Sequence, residues 1–322
     1  MSPQLIYGTA TFGMDVTGFA DAEAAKSMLK TVRSLGIKRL DTAPRYPPLS
    51  TGRAEELIGE SVDISGDLTV DTKVYTDTRT DGSGDLARDA MQKSVCGSLE
   101  RLKRSQGVNI LYAHRADPAT PLEEQVRNFN EQIAQGHCEA WGVSNTPPAV
   151  LEKIVQICEE NGWQKPSAYQ GDYNLVTRAM EAKLLPILRA HGMSFVAFRA
   201  LGAGFLTGKF VNNQHEGTRL SDDNPLGKAM QRVFSDEELR RAVKEFDTEV
   251  KKHGLSSLEV AVRWVAHHSA LRDADAIILG ASKETQLQET VSLIQKGPLD
   301  PPVLALVDEL WASVQQSREN VL

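Results

Sequence analysis

The chain has 322 residues, and its 43 acidic side chains against 36 lysines and arginines give a net charge of −7. That balance argues against nucleic acid or an anionic membrane as partner, since both require a basic surface. Hydrophobic residues at 41% and charged residues at 25% supply a packed core and exclude a disordered tail.

Short apolar runs alternate with stretches of helical period along the whole chain. Strands are predicted over Leu5–Gly8, Arg39–Thr42, Thr69–Lys73, Asn109–Ala113, Ala140–Val143, Ala168–Gln170, Ser194–Ala197 and Ala276–Leu279. After the first strand, Asp21 can cap a helix whose apolar stripe is Ala25, Met28, Leu29, Val32 and Leu35, with Gly36 as its stop. Leu86, Ala90, Val95, Leu99 and Leu102 form a second stripe, and Val150, Ile154, Ile157 and Cys158 a third. Phe205–Asp236, rich in Gly, Asn, Asp and Ser, reads as a long loop. Eight strands with a helix after each point to one α/β domain over residues 1–322, a closed (β/α)8 TIM barrel with its long loop after strand 7. An open doubly wound sheet is the alternative, but GTATFG (8–13) lacks the glycine spacing for a dinucleotide there. No apolar run reaches the roughly 20 residues of a membrane span, and the start of the chain shows no export signal, so a soluble cytoplasmic protein is expected. Cys96, Cys138 and Cys158, placed by the pattern in helices or loops, read as reduced, inert thiols.

In such a barrel the chemistry sits at the carboxyl ends of the strands. Those ends read DTAPRY (41–46), DTKV (71–74), LYAHR (111–115), WGVSN (141–145), YQGDYN (169–174), AFRALGAGFLTGK (197–209) and LGASKETQLQET (279–290). Asp41, Tyr46, Lys73 and His114 then bring a carboxylate, a phenol, an amine and an imidazole into one cavity. A lysine ammonium lowers a nearby tyrosine's pKa, and a carboxylate keeps that lysine charged, so the set suits protonation of a carbonyl oxygen. No His, Cys and Asp spacing suggests a metal.

Taken in order over about 300 residues, these segments resemble the aldo-keto reductases. Within them, NGWQKPSAYQGDYNLVTR (161–178), VRWVAHHSAL (262–271) and KGPLD (296–300) are most similar to the aflatoxin-aldehyde and succinic-semialdehyde reductase branch. The resemblance implies NADPH-dependent reduction of an aldehyde or ketone, with Tyr46 as proton donor, Lys73 and Asp41 as its pKa-lowering pair and His114 orienting the carbonyl. It implies cofactor contacts at Gly8, Thr9, Leu201, Gly204 and Gly280, with Ser144, Asn145 and Gln170 at the nicotinamide carboxamide. Phe198 stands where the family has a ring-stacking tyrosine, and Arg199-Ala200-Leu201 replaces its usual Asn-Pro-Leu. Ser282, Lys283 and Gln286 fall where the adenosine 2′-phosphate is held, Gln286 replacing a frequent arginine. Lys228 aligns with a branch arginine linked to substrate carboxylates, and the branch suggests a homodimer.

Taken singly, each of these residues has an ordinary explanation as a loop, surface or core group; their joint order carries the reading. Phe198 has core packing as a rival, and Lys228 and Lys283 have solvated surface charge. His267 and His268 read as structural, and Trp141 as packing at a strand end. Rival functions are a Schiff-base lyase using Lys73, a cofactor-sensing regulatory subunit of the potassium-channel β type, and a biosynthetic reductase with a narrow natural-product substrate.

Overall fold

A computed structural model describes residues 3–77, 79–224 and 226–321. Eight parallel strands close into a barrel in the order β1 to β8: Gln4–Gly8, Arg39–Asp41, Thr69–Lys73, Val108–Ala113, Cys138–Ser144, Ala168–Asp172, Ser194–Phe198 and Ala276–Leu279. The expected TIM barrel is therefore present, and β8 hydrogen-bonds β1 through pairs such as Leu5 with Ile277. Closure leaves no sheet edge open.

Around the barrel run α1 (Ala22–Ser34), α2 (Arg53–Glu60), α3 (Val62–Ser65), α4 (Arg88–Leu102), α5 (Leu122–Ala134) and α6 (Pro148–Asn161). They are followed by α7 (Met180–Lys183), α8 (Leu185–Ala190), α9 (Gly227–Val233), α10 (Glu237–Lys252), α11 (Ser257–His267), α12 (Glu284–Gln295) and α13 (Pro301–Arg318). α1 starts as its sequence dictates: the Ala24 N–H donates to Asp21 Oδ1 at 2.9 Å, and Ala25, Met28, Leu29 and Val32 are buried. Gly36 follows with φ 76°, a left-handed conformation that glycine takes without steric cost.

Three local expectations change. Ala90 is exposed, because the buried face of α4 is Met91, Val95, Ser98 and Leu102. Cys138 opens β5 and is buried. The stretch after Phe205 is a loop broken by helices: a 3-10 turn over Gly202–Thr207 and α9, with Asp236 capping α10.

The barrel interior is narrow. Ile6, Ile110, Tyr112, Ala168, Val196, Ala276 and Ile278 fill it, while a larger cluster packs between strands and helices. Alternation by two puts Arg39 and Asp41 on one face of β2, and Asp71 and Lys73 on one face of β3. At the amino-terminal end Arg39 Nε donates to Asp71 Oδ2 at 2.7 Å, so that charged pair plugs the floor. Asp41 and Lys73, one step further along, stand at the carboxyl-terminal mouth.

Outside the barrel α2 crosses α4 at Gly59, where a β-carbon would lie 2.0 Å from the Arg101 carbonyl oxygen. Backbone cannot yield as a side chain can. Gly59→Ala is therefore expected to destabilise the protein by about 1–3 kcal/mol, read as a lower denaturant midpoint with an unchanged slope.

Candidate active site

The mouth is built around one carboxylate. Asp41 Oδ1 accepts from Lys73 Nζ at 2.7 Å and from Gln170 Nε2 at 2.8 Å, and all three side chains are buried. Lys73 Nζ also donates to the Thr42 carbonyl at 2.8 Å. An ammonium has three donors, so one remains for a further acceptor. The Tyr46 ring is a neighbour, its centroid 5.1 Å from Lys73 Nζ. His114 meets Tyr46 edge-on, with ring centroids 5.7 Å apart and planes at 89°. The four expected catalytic residues thus occupy one cluster.

The electrostatics differ from the expectation in one respect. Lys73 is held above its ordinary pKa: burial opposes the ammonium, but Asp41, Tyr46 and their hydrogen bonding outweigh burial. Tyr46 is also raised, because burial dominates; the Lys73 charge pulls it down without overcoming that penalty. The pair therefore moderates the phenol's pKa without lowering it below the usual value, and leaves Tyr46 protonated. His114 is pushed down to about 3, first by burial and then by the charges of Lys73, Arg45 and Arg115. Its ring is neutral at pH 7, and its buried Nδ1 has no hydrogen-bond partner among the described residues.

This has a measurable consequence. The unfolded chain takes up a proton on His114 near pH 6.5 and the folded chain only near 3, so this residue's share of stability is complete above 6.5 and lost as pH falls toward 3. At pH 4 the loss is about 3 kcal/mol. Melting curves should show a smaller drop between pH 6.5 and 4 for His114→Gln than for the unsubstituted protein. Equal drops would refute a neutral buried imidazole.

A polar row continues along the next strands. Ser144 closes β5, and the Asn145 side chain donates to Ser144 Oγ and to the His114 carbonyl, both at 3.0 Å. Asn145 itself has φ 49°, in the left-handed region that asparagine tolerates. Phe198 closes β7, half-buried. Leu201 and Gly204 lie in the turn after it, where Gly202, Ala203 and Gly204 all have positive φ. Gly8 is packed so closely that a β-carbon would come 2.7 Å from Ile278 Cγ2. Thr9, expected at the cofactor, uses both its N–H and its hydroxyl on the Asp41 carbonyl, at 2.9 and 3.0 Å. After β8, Gly280 is open, and the N–H and hydroxyl of Ser282 both donate to Gln286 Oε1 at 2.9 Å. Lys283 is exposed at the start of α12, while Glu284 is held by the Thr31 hydroxyl at 2.8 Å. Lys228 is exposed on α9, and no hydrogen bond or ion pair among the described residues joins it to the Tyr46 cluster.

Three features escaped the sequence reading. Gln170 was expected at the carboxamide, yet its amide N–H is on Asp41, 129 residues earlier. Arg219, exposed in the loop after β7, adds a positive charge that favours the Tyr46 phenolate. Arg199 is ion-paired to Asp172 at 3.0 Å. No periodicity links these positions. Other readings concern packing: Trp141 stacks on Phe129 with centroids 4.6 Å apart, and His267 and His268 hydrogen-bond Ile294 O and Leu299 N. Burial pushes the Cys138 and Cys158 thiols up to about 12 and about 11. Among the described residues no cluster could hold a metal ion, and no helix is long and apolar enough to cross a membrane.

Residues 4–312 match the Aldo/keto reductase family. Aflatoxin B1 aldehyde reductase member 2 of Mus musculus is 31% identical over 99% of this chain and 88% of its own length. Oxidoreductase sirO of Leptosphaeria maculans is 31% identical over 98% and 95%, and a probable voltage-gated potassium channel subunit beta of Oryza sativa is 30% identical over 97% and 93%. A closed barrel, a match over nearly the whole chain and relatives above 30% identity place this protein in the aldo/keto reductase family, oxidoreductases that act on carbonyl groups with a nicotinamide cofactor.

Proposed function

We propose that the chain is a single-domain, cytoplasmic, NADPH-dependent reductase of a small aldehyde or ketone. The observation that carries this reading is the buried Lys73–Asp41 pair set against a protonated Tyr46, with a neutral His114 at right angles to it. A phenol kept protonated by burial, beside an ammonium that stabilises the phenolate once the proton leaves, is what protonation of a developing alkoxide requires. His114, neutral and with a buried nitrogen unpartnered among the described residues, orients the carbonyl oxygen toward Tyr46. Asp41 holds Lys73 charged, and Gln170 and Thr9 hold Asp41. The same pair argues against Schiff-base chemistry, because a lysine held as its ammonium is a poor nucleophile.

The mouth fits a nicotinamide cofactor by the chemistry of its donors. Ser144, Asn145 and Gln170 offer hydroxyl and amide groups to a carboxamide, Phe198 offers a ring face, and Gly280 leaves open space where a side chain would intrude. When bound, the reduced ring supplies a hydride to the carbonyl carbon. Ser282, Lys283 and the amino-terminal end of α12 favour a cofactor with an extra phosphate, and Glu284 is tied back by Thr31. Arg219 is a better-placed cation than Lys228 for a substrate carrying a carboxylate, since its charge reaches Tyr46. A homodimer is part of this proposal.

The test is NADPH oxidation, followed at 340 nm, against succinic semialdehyde, 4-nitrobenzaldehyde and a 1,2-dicarbonyl, with NADH in parallel. Turnover preferring NADPH is expected. Tight binding without turnover on any carbonyl would turn the reading toward a cofactor-sensing subunit, the rice relative being named a probable potassium channel subunit, or toward a narrower substrate.

A further inference from the structure

Arg199 is fixed at both ends. Its backbone has φ 57°, and its carbonyl accepts from Gly202 N at 2.6 Å and from Asn174 Nδ2 at 3.1 Å. Its Nη1 donates at 3.0 Å to Asp172 Oδ2, and Asp172, paired with Phe198 in the β6–β7 register, also accepts from Asn174 at 2.9 Å. The guanidinium carbon then lies 5.4 Å from the Phe198 ring centroid. The Arg199 side chain is 37% exposed and that of Asp172 only 9%. A cation tied to a buried carboxylate therefore lies over the aromatic ring that ends β7.

An aromatic face by itself attracts a cation. The oxidised nicotinamide ring carries a positive charge and the reduced ring none, so Phe198 alone would favour the oxidised cofactor. The guanidinium beside Phe198 reverses that preference, because it repels a second positive charge and is indifferent to a neutral ring. Asp172 offsets part of the charge, which reduces the effect without abolishing it.

We infer that Arg199 sets which redox state of the cofactor this site prefers: by holding a guanidinium on Phe198, it makes the site bind the reduced cofactor more tightly than the oxidised one and biases the protein toward carbonyl reduction. The inference rests on the reading above, in which Phe198 carries the nicotinamide ring. With a reduced cofactor bound, a hydrogen with its two electrons would pass to the carbonyl carbon while Tyr46 gives its proton to the oxygen, leaving the cofactor cationic. Arg199 then favours its release.

The experiment is direct binding of NADPH and of NADP+, each titrated separately by tryptophan fluorescence with no carbonyl present. Arg199→Asn removes the charge and keeps a residue that accepts positive φ; Arg199→Lys keeps the charge. The ratio of Kd for NADP+ to Kd for NADPH should fall by about three- to tenfold in Arg199→Asn, mostly through tighter NADP+, and should largely persist in Arg199→Lys. If Arg199→Asn does not fold, Arg199→Gln takes its place. An unchanged ratio would overturn the inference: if both constants rise together, the guanidinium touches a part common to both cofactors. Phe198→Ala separates the two readings. Unchanged constants in that variant would show that the ring lies elsewhere and would remove the basis for Arg199, while no binding of either cofactor by the unsubstituted protein would refute the cofactor reading itself.

Discussion

Tyr46→Phe is expected to lower kcat by about a thousandfold and to leave NADPH affinity unchanged. The substitution removes one oxygen. Phe keeps the ring that meets His114 edge-on and lies 5.1 Å from Lys73, so packing and burial are retained. What disappears is the only proton that the cluster can deliver to a carbonyl oxygen near neutral pH. His114 is neutral and its pKa near 3 leaves no second proton to give, and Lys73 is held charged by Asp41. The measurement is single-turnover NADPH oxidation on an aldehyde that the unsubstituted protein reduces, with cofactor binding measured independently. Turnover within tenfold of normal would remove Tyr46 from the proposed role.

Asp41→Ala is expected to be strongly destabilising. It leaves the Lys73 ammonium buried with only the Thr42 carbonyl, and strands the Gln170 amide. Losing one partner of a buried ion pair costs about 3–5 kcal/mol, roughly 10 °C in melting temperature for a chain of this size. The pH dependence supplies a sharper test. In the intact protein Lys73's folded pKa lies above its unfolded value of 10.5, so its contribution is present through neutral pH and is lost only as pH rises through the folded value. Without Asp41 the chief influence raising that pKa is gone and burial prevails. The folded value then drops below the unfolded one, and stability should rise with pH in the range where it otherwise stays level. The double variant Asp41→Ala with Lys73→Met removes the stranded charge and should recover more than half of the loss. Additive losses would mean that the two side chains do not act as a pair.

Both predictions concern residues whose types and order are visible in the chain, but whose energies are not. DTAPRY, DTKV and LYAHR mark four groups at three strand ends, and a parallel barrel brings strand ends to one mouth. The order of strand ends fixes proximity and nothing finer. Proximity gives the direction in which Lys73 acts on Tyr46 but not the net upward shift, because spacing carries no information about how deeply the phenol is buried. It also gives no sign of the hydrogen bond from Gln170 to Asp41, which joins β6 to the Asp41–Lys73 pair.

The amino-acid sequence by itself determined the eight strands to within a residue or two at most ends, the capping of α1 by Asp21 and the barrel class, since these follow from periodicity and from interactions a few residues apart. It also carried the order of the strand-end motifs. Only the tertiary structure decided which face of α4 is buried, that two helical segments break the loop after β7, and how Arg199, Asp172 and Phe198 come together. These depend on contacts between distant segments and on desolvation. Both arise when the barrel closes and have no local signature along the chain.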